Sequence, residues 1–250
     1  MRDKAMTGFL LALAISLFAG FALAQSNRGA QPDLTGVWTT YRGPGARGGG
    51  GRGGAGQAEL PYTPEARRKI NEYQALVKPT GDTPGGHCVG TGMPGSMLGS
   101  GGYPMEIIQR PDQITIIYEA HNEIRRVYFG DRVIPPADRL PERNGYSIGR
   151  WEGDTLVVET SHLKEQVDQR YAHSDQAKIV ERYRLSEENG QKVLTVEMTM
   201  TDPVFYTKPV SEVKRWSIVP NGFLMTYECN EPEWERHLEQ LRKSASAKAK

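Results

Sequence analysis

Cysteine is scarce in this chain of 250 residues, which has two, Cys88 and Cys229. Net charge is also almost absent, because 31 lysines and arginines are balanced by 30 aspartates and glutamates. Beyond the first residues, the chain has no long hydrophobic run. A nearly neutral protein has no electrostatic footprint for a polyanion, so we expect no nucleic-acid partner.

Motifs for metals, phosphates and serine nucleophiles are missing as well. The five histidines have no i, i+2 or i, i+4 pairing, and no acidic loop has calcium spacing. Gly149 and Gly153 fall within a predicted hairpin, which excludes a phosphate loop between a strand and a helix. Ser147 is mid-strand and has no Gly-x-Ser-x-Gly turn, so a serine hydrolase of the usual type is not expected. We predict neither a metal nor a cofactor.

The first residues have the pattern of an export signal. Arg2 and Lys4 precede an apolar run from Gly8 to Phe21, and Ala22-Leu23-Ala24 follows as a small-residue cleavage site. We therefore predict a signal peptide over residues 1–24 and a periplasmic or secreted protein. The run is short and polar residues follow it, so stable membrane insertion after cleavage is not expected. A retained N-terminal anchor is the alternative.

The two cysteines are far apart in sequence, and an exported protein meets an oxidising environment. The simplest prediction is one disulfide between Cys88 and Cys229, stabilising the fold by on the order of 4 kcal/mol. Because His87 is adjacent to Cys88, a metal-binding or nucleophilic thiol is the alternative.

The stretch Gly145 to Thr160 reads as a central β-hairpin. Two runs rich in β-branched and aromatic residues, Tyr146 to Trp151 and Thr155 to Thr160, are separated by Glu152-Gly153-Asp154, where glycine can adopt a positive φ. Similar runs occur on both sides, so roughly ten strands are expected, and that many strands curl into a barrel. The fold class is mainly β, an antiparallel meander closing into a barrel. The other predicted strands are Leu34–Thr40, Met105–Arg110, Gln113–Glu119, Glu123–Phe129, Lys178–Leu185, Lys192–Thr201, Glu212–Val219 and Phe223–Cys229, with turns at Asn189-Gly190 and Asn221-Gly222.

Two helices accompany the strands. Thr63 is a good N-cap and Pro64 suits the first helical position, so one helix begins there and ends before Pro79. A C-terminal helix is expected from Glu231 to Arg242, with Trp234, Leu238 and Leu241 on the face that lies against the barrel.

The remaining segments are predicted to be irregular. Residues 43–57 form a glycine-arginine tract that suits a flexible loop, with an RGG-like nucleic-acid segment as the alternative. Residues 79–104 are expected to form an irregular flap that lines a site, and residues 244–250 a disordered tail. Residues 25–243 are then a single β-barrel domain.

Polar and aromatic side chains in mid-strand indicate a site inside the barrel. If the barrel is closed, one face of each strand points inward and can line a cavity for a small ligand or substrate. The ligand-binding candidates are Trp38, Tyr118, Arg126, Tyr128, Arg150 and Tyr183.

Three residues are candidate proton carriers. Glu181 shares an apolar strand face with Ile179 and Tyr183. If that face is the inner one, Glu181 points inward and needs a partner, which Arg126 or Arg150 could supply. It is then either a structural ion pair or a general base. Glu159 and His173 complete the catalytic candidates. His173 lies in a predicted loop near Asp168 and Asp175, where an exposed structural histidine is the alternative.

Two resemblances come from these motifs. The central hairpin from Ser147 to Thr160, with Glu181-Arg182-Tyr183 and Asp202-Pro203, resembles an uncharacterised family of exported bacterial proteins over roughly residues 104 to 230. That family supplies no activity. Gly36-x-Trp38 resembles the first-strand signature of lipocalins and related calycin barrels, although the glycine-rich insert after it departs from their pattern.

Three functions are compatible with this sequence. The first is an exported barrel protein that binds a small, partly apolar organic ligand inside the barrel. The second is a cofactor-free acid-base enzyme on the same scaffold, such as an isomerase, dehydratase or lyase. The third is a structural envelope protein. The sequence does not determine the oligomeric state.

Overall fold

The structure is a computed structural model that describes residues 31–43, 59–99 and 102–248. In these residues nine strands close into a barrel in the order of the sequence, which confirms the predicted fold class. The predicted signal peptide and nearly all of the glycine-arginine loop lie outside the described residues. The strands are β1 (Gly36–Thr40), β2 (Met105–Gln109), β3 (Gln113–Tyr118), β4 (Glu123–Tyr128), β5 (Tyr146–Glu152), β6 (Thr155–Ser161), β7 (Lys178–Glu188), β8 (Gln191–Thr201) and β9 (Val210–Val219).

One strand pair departs from the predicted antiparallel meander. β4 and β5 are parallel, with Val127 opposite Ser147, whereas the other described pairs are antiparallel. Parallel neighbours need a connection that returns to the starting end of the first strand. The segment 129–145, which contains Pro135 and Pro136, makes this connection.

The barrel closes where β1 pairs with β9, with Trp38 opposite Ile218 and Thr40 opposite Trp216. The prediction of a tenth strand at Phe223–Cys229 is wrong. Because β1 already occupies the free edge of β9, this segment has no ladder to join. It is instead attached to the β3–β4 turn, where the N–H of Met225 donates to Glu119 Oε2 at 2.7 Å and Asn122 Nδ2 donates to the carbonyl of Tyr227 at 2.9 Å. Asn221-Gly222 is therefore not a hairpin turn between two strands.

The predicted turns inside the barrel are confirmed. Gly153 has φ of 63° at the β5–β6 turn, and Asn189 and Gly190 have φ of 51° and 74° at the β7–β8 turn. Gly149 is needed for a different reason, because a Cβ there would lie 2.5 Å from Cζ of Phe129. The central hairpin therefore uses one glycine for its turn and another for close packing.

Three α-helices accompany the strands in the described residues. Helix α1 (Pro64–Val77) begins as predicted, with the Thr63 hydroxyl accepting the N–H of Ala66 at 3.2 Å. Residues 79–104 are not wholly irregular, because they contain a 3₁₀ turn at Pro84–His87 and the short helix α2 (Gly95–Gly99).

Helix α3 (Asn230–Lys248) continues past its predicted end at Arg242, so Ser244 to Lys248 are helical and not a disordered tail. The reason is that this segment has no glycine or proline and contains good helix formers. The expected packing of Trp234 and Leu241 on the barrel is also wrong, since they are 58% and 51% exposed. The first turn of the helix is instead held by the Glu233 carboxylate, 3.2 Å from His87 Nδ1.

Cys88 and Cys229 form the predicted disulfide, with their Cα atoms 5.5 Å apart. It joins the Pro84–His87 turn to the segment that precedes α3. None of the described helices is both long and apolar enough to cross a membrane.

Candidate functional site

A buried ion pair occupies the centre of the barrel. Arg125 on β4 donates from Nη1 and Nη2 to the two carboxylate oxygens of Glu181 on β7. Its remaining N–H groups donate to Ser147 Oγ at 3.1 Å, to Thr160 Oγ1 at 2.8 Å and to Tyr183 Oη at 3.4 Å. The Tyr183 hydroxyl itself donates to Glu181 Oε1 at 2.8 Å. All five guanidinium N–H groups are therefore used, and we call this set the central network.

Burial and charge compete in the central network. Burial alone would lower the pKa of Arg125, but the Glu181 carboxylate outweighs burial and holds that pKa well above its ordinary value. Burial also raises the pKa of Tyr183 well above its usual range, with the charge of Glu181 acting in the same direction. Arg125 thus keeps its charge, and the tyrosine beside it is neutral.

The structure confirms that Glu181 points inward, but its predicted partner is wrong. Arg126 is exposed on the outer face of β4, and Arg150 pairs on the outside with Glu152 and Glu159. On β4, Ile124 and Tyr128 share a face with Arg126. In the barrel this face is the outer one, and Arg125 is inward.

The predicted ligand-binding residues divide into two groups. Trp38, Tyr118 and Tyr183 face inward and are buried. Trp38 Nε1 donates to the carbonyl of Leu34 at 2.9 Å, and the Tyr118 hydroxyl contacts Met93 Sδ at 3.9 Å. Arg126, Tyr128 and Arg150 lie on the other side of the barrel wall, where the Tyr128 ring stacks on Tyr146 at 5.1 Å between centroids. These six residues therefore do not form one site.

The middle of the barrel is filled with side chains. The inward residues around the central network have no more than 2% of their surface exposed, so a water-sized probe does not reach them. Among the described residues, Tyr118 and Tyr183 are surrounded by packed side chains, so a site for an organic ligand has to lie elsewhere. The packed set includes Met105, Ile107, Ile114, Ile116, Val127, Leu156, Val158, Ile179, Leu194 and Val196.

The three predicted proton carriers also lie apart. Glu181 is fully buried, whereas the side chain of Glu159 is 56% exposed on the outer face and pairs with Arg150. His173 lies in the loop after β6 but is fully buried instead of exposed. Because Nδ1 of His173 faces the carbonyl of Tyr171 at 3.1 Å, that nitrogen carries the proton and Nε2 is the acceptor. Burial lowers the pKa of His173.

An open cleft of about 410 Å³ lies between helix α1, the Pro84–His87 turn and the loop 165–168. We call it the α1 cleft. Its walls are largely apolar, and its floor carries Arg143 and Asp168. The lining residues are Tyr73, Val77, Asp82, Thr83, Pro84, His87, Val89, Arg143, Glu165, Gln166, Val167 and Asp168.

Hydrogen bonds to Gly90 and Asp168 fix the orientation of the Arg143 side chain. Its Nε donates to the carbonyl of Gly90 at 2.8 Å, and its Nη2 donates to Asp168 Oδ2 at 2.7 Å. Nη1 of Arg143 makes no hydrogen bond to a described residue, and the side chain is 30% exposed. The guanidinium is thus fixed in orientation, with one donor group unused.

The flap beneath the cleft is fastened by side chains from the barrel and the loop after β6. The Glu123 carboxylate accepts the N–H groups of Thr91 and Gly92, at 3.1 and 2.8 Å, and the hydroxyl of Ser96 at 2.6 Å. Gln166 Nε2 donates to the carbonyl of Thr91 at 2.9 Å. The backbone that positions Arg143 is therefore itself fixed, which is what a preformed site needs.

Buried polar atoms without a described partner accumulate in this region. They are Gln166 Oε1, Asn144 Oδ1 and His173 Nε2. Gln166 and His173 exchange both backbone hydrogen bonds, at 2.9 and 2.8 Å, and a Cβ at Gly92 would lie 2.8 Å from Gln166 Oε1. We call Arg143, Asn144, Gln166, Asp168 and His173 the cleft belt. Unlike the central network, it has hydrogen-bonding capacity left over.

A second cleft of about 560 Å³ lies at the ends of β6 and β8 and includes Ser161, His162 and Asp175. His162 has a positive φ of 54°, and its Nδ1 lies 2.8 Å from Ser161 Oγ. Its other lining residues are mostly exposed, and it has no fixed cation comparable to Arg143. In the described residues, no group of three or more His, Cys, Asp or Glu side chains is arranged to hold a metal ion.

Sequence reasoning missed Arg125, Arg143 and Gln166. Alternation along β4 was the available signal for Arg125, but it does not say which face is inner. Arg143 and Gln166 lie in segments without periodicity, so no local pattern points to them. Comparison with family models, curated proteins and solved structures gives no match to this chain.

Proposed function

We propose that this chain is an exported β-barrel protein that binds a small, partly apolar organic ligand in the α1 cleft. The observation that carries the proposal is the floor of that cleft, where a fixed arginine with an unused donor meets apolar walls. The ligand position differs from the sequence-based expectation, which placed it inside the barrel.

The cleft has the features of a small-molecule site. Its volume falls within the range of roughly 300 to 1,000 Å³ that is usual for such pockets. Tyr73, Val77 and Val89 provide apolar contact, while Arg143 Nη1 is a donor for an oxygen acceptor on the ligand. Asp168 neutralises the charge of Arg143 without using Nη1, so a neutral carbonyl or hydroxyl suits the site.

The disulfide supports both the proposed export and the proposed binding site. It is compatible with an oxidising compartment, and it fixes the Pro84–His87 turn that forms one wall of the cleft. The Pro84–His87 turn has no buried residues of its own, so the disulfide is what fastens this wall of the cleft.

The enzyme hypothesis has less support. Acid-base catalysis needs a donor and an acceptor within reach of one substrate. Glu159 and Glu181 lie on opposite sides of the barrel wall. Both carboxylate oxygens of Glu181 already accept hydrogen bonds from the Arg125 guanidinium. A purely structural envelope protein would need no preformed cleft with a fixed arginine at its floor.

The test is a fluorescence titration of the mature protein with 6-propionyl-2-(dimethylamino)naphthalene, a neutral aromatic ketone small enough for the cleft. Val77→Asp introduces a charge into the cleft wall and should weaken binding at least tenfold. The matched control is Leu76→Asp, on the same helix, because Leu76 is 77% exposed and does not line the cleft. Equal affinity of the two variants would contradict the proposal.

A native mass spectrum of the protein purified from the periplasm would complement this titration. A discrete adduct lost in Val77→Asp but kept in Leu76→Asp would identify the mass of the natural ligand. An adduct kept in both variants would place its site outside the α1 cleft.

A further inference from the structure

One wall of the α1 cleft is formed by residues 80–89, which we call the wall segment. Every one of its residues keeps at least intermediate solvent exposure. Its backbone hydrogen bonds are local, such as those from the N–H of Gly86 to the carbonyl of Thr83 at 3.0 Å and from the N–H of Val89 to the carbonyl of Pro84 at 2.9 Å. Because the wall segment buries little apolar surface, packing alone does not hold it in place.

Two contacts tie the wall segment to the start of α3. The disulfide joins Cys88 to Cys229, just before the helix, and His87 Nδ1 lies 3.2 Å from Glu233 Oε1 in its first turn. The described hydrogen bonds of the N–H groups in the wall segment stay within it or end at Val77, the last residue of α1. An exposed ion pair contributes little, so the disulfide is the stronger of the two contacts.

The start of α3 is in turn attached to the barrel. Segment 223–229 makes two hydrogen bonds with the β3–β4 turn, and the Tyr227 ring packs on His121 with 4.8 Å between centroids. Gly85 of the wall segment lies near the same histidine, since a Cβ added there would be 3.3 Å from the His121 ring. The disulfide therefore connects the wall segment covalently to a part of the chain that is fixed on the barrel.

The floor and the helix side of the cleft are held without the disulfide. Ala66 of α1 is fully buried, and Lys69 pairs with Glu165 across the cleft at 2.6 Å. Arg143 is oriented by its own bonds to Gly90 and Asp168. Cleavage of the disulfide would thus release one wall of the cleft and leave its other parts in position.

Both cysteines keep intermediate exposure, so a small dithiol can approach the disulfide. One thiolate of the dithiol attacks a sulfur atom, forms a mixed disulfide and displaces the other cysteine as a thiolate. The second thiolate then breaks the mixed disulfide, which leaves the reagent as a cyclic disulfide. The two protons lost by the dithiol are taken up by Cys88 and Cys229, and two electrons pass from the reagent to the protein.

We propose that the Cys88–Cys229 disulfide controls ligand binding in the α1 cleft, so that the oxidised protein holds its ligand and reduction by a dithiol weakens binding. This inference rests on the proposed function and names the regulation of the same site. Without the disulfide, the wall segment has to be ordered each time a ligand binds, and the lost entropy lowers the affinity. Because linkage is reciprocal, a bound ligand opposes reduction by the same factor.

The experiment is a fluorescence titration of the mature protein with 6-propionyl-2-(dimethylamino)naphthalene, before and after reduction by dithiothreitol. Reduction should weaken binding by about fivefold or more, as expected when a binding segment loses its preorganisation. The double variant Cys88→Ser with Cys229→Ser should bind as weakly as the reduced protein and should not respond to dithiothreitol. Equal affinity of the oxidised and reduced proteins would overturn the proposal.

Near-ultraviolet circular dichroism of the same samples tests whether the effect is local. The barrel signal should persist after reduction, because the core does not include the disulfide. Loss of that signal would overturn the proposal, since weaker binding would then follow from unfolding of the whole domain.

The reciprocal measurement is the thiol content of the protein in mixtures of reduced and oxidised dithiothreitol, with and without the probe. The probe should shift the equilibrium toward the disulfide in the native protein and in Leu76→Asp, but not in Val77→Asp. If Val77→Asp and Leu76→Asp bind the probe alike, the proposed function itself fails. If they differ but the probe gives no shift in the native protein, the cleft stands as the ligand site and its regulation by the disulfide is overturned.

Discussion

The central network and the cleft belt are both polar clusters, yet they differ in how their hydrogen bonds are used. In the central network, Arg125 uses all five N–H groups on partners within the barrel. In the cleft belt, Gln166, Asn144 and His173 each keep a buried polar atom without a described partner. One cluster is complete by itself, and the other is not.

This difference separates structural polarity from functional polarity. A buried ion pair persists only when its remaining donors and acceptors are satisfied, which is the condition that the central network meets. Unpaired buried acceptors cost free energy unless water or a ligand group occupies them. Arg143, Gln166 and Asp168 of the belt line an open cleft, whereas the centre of the barrel is sealed.

The largest expected effect comes from breaking the central network. Glu181→Gln keeps the shape of the side chain but leaves Arg125 as a buried unpaired charge, and we expect it to lower the free energy of unfolding by about 3–5 kcal/mol. Urea unfolding of the mature protein measures this.

The matched control removes the network as a unit. In Arg125→Met with Glu181→Leu and Tyr183→Phe, Ser147 Oγ and Thr160 Oγ1 still bond each other at 2.9 Å, and the core becomes apolar. We expect this triple variant to recover most of the lost stability. A Glu181→Gln variant with native stability would show that the network is not complete in solution.

A smaller effect concerns acid stability. The pKa of His173 is lowered by burial from its ordinary value of 6.5. The unfolded state therefore takes up a proton first, and stability is lost as pH falls below about 6.5, by at most about 1.4 kcal/mol per pH unit for one proton. Above that pH, the ionisation of His173 does not change the free energy of unfolding.

Urea midpoints of the native protein and of His173→Gln, measured between pH 5 and pH 8, test the direction of this pH dependence. The native protein should lose stability faster on acidification than the variant. Because Asp168 and Asp202 act on His173 in the opposite direction, parallel curves would mean that these carboxylates cancel the effect of burial.

Within the cleft belt, Gln166→Leu should cost about 1 kcal/mol or less. The variant loses the hydrogen bond from Nε2 to the carbonyl of Thr91, but it also removes an acceptor that is buried without a described partner. Urea unfolding beside Glu181→Gln makes the comparison. A loss as large as that of Glu181→Gln would mean that the belt is as complete as the centre.

The smallest effect is expected on the outer wall. Glu159→Gln removes one half of an exposed pair with Arg150, and exposed pairs contribute about 0–1 kcal/mol. Since Glu159 and Glu181 are neighbouring strand carboxylates on opposite faces, the two variants measure the effect of burial alone. Equal losses in urea unfolding would contradict the assignment of the two faces.

Much of the fold could be predicted from local patterns. Local patterns located all nine strands, although β7 continues to Glu188, past its predicted end at Leu185. Glycine and asparagine marked the β5–β6 and β7–β8 turns, and Thr63 with Pro64 marked the start of α1. The tenth strand was overpredicted because Phe223–Cys229 has strand-like composition, and composition does not reveal that β1 already occupies the edge of β9.

The site was less accessible to sequence reasoning. Glu181 was assigned to the inner face correctly because its apolar neighbours Ile179 and Tyr183 share that face. Arg126 or Arg150 was named as its partner instead of Arg125, because the sequence does not show which face of β4 is the inner one. Arg143 and Gln166 carry no local signal, and their relevance arises from the segments that pack around them.

The sequence by itself determined the strands, their turns, the first helix and the pairing of the only two cysteines, because these depend on local geometry and on residue chemistry. Only the tertiary structure decided which face of each strand is inner, which arginine meets Glu181, and where the open clefts lie. The physical reason is that a one-residue change of register exchanges the two faces of a strand. Register is set by closure of the whole barrel and not by any strand alone.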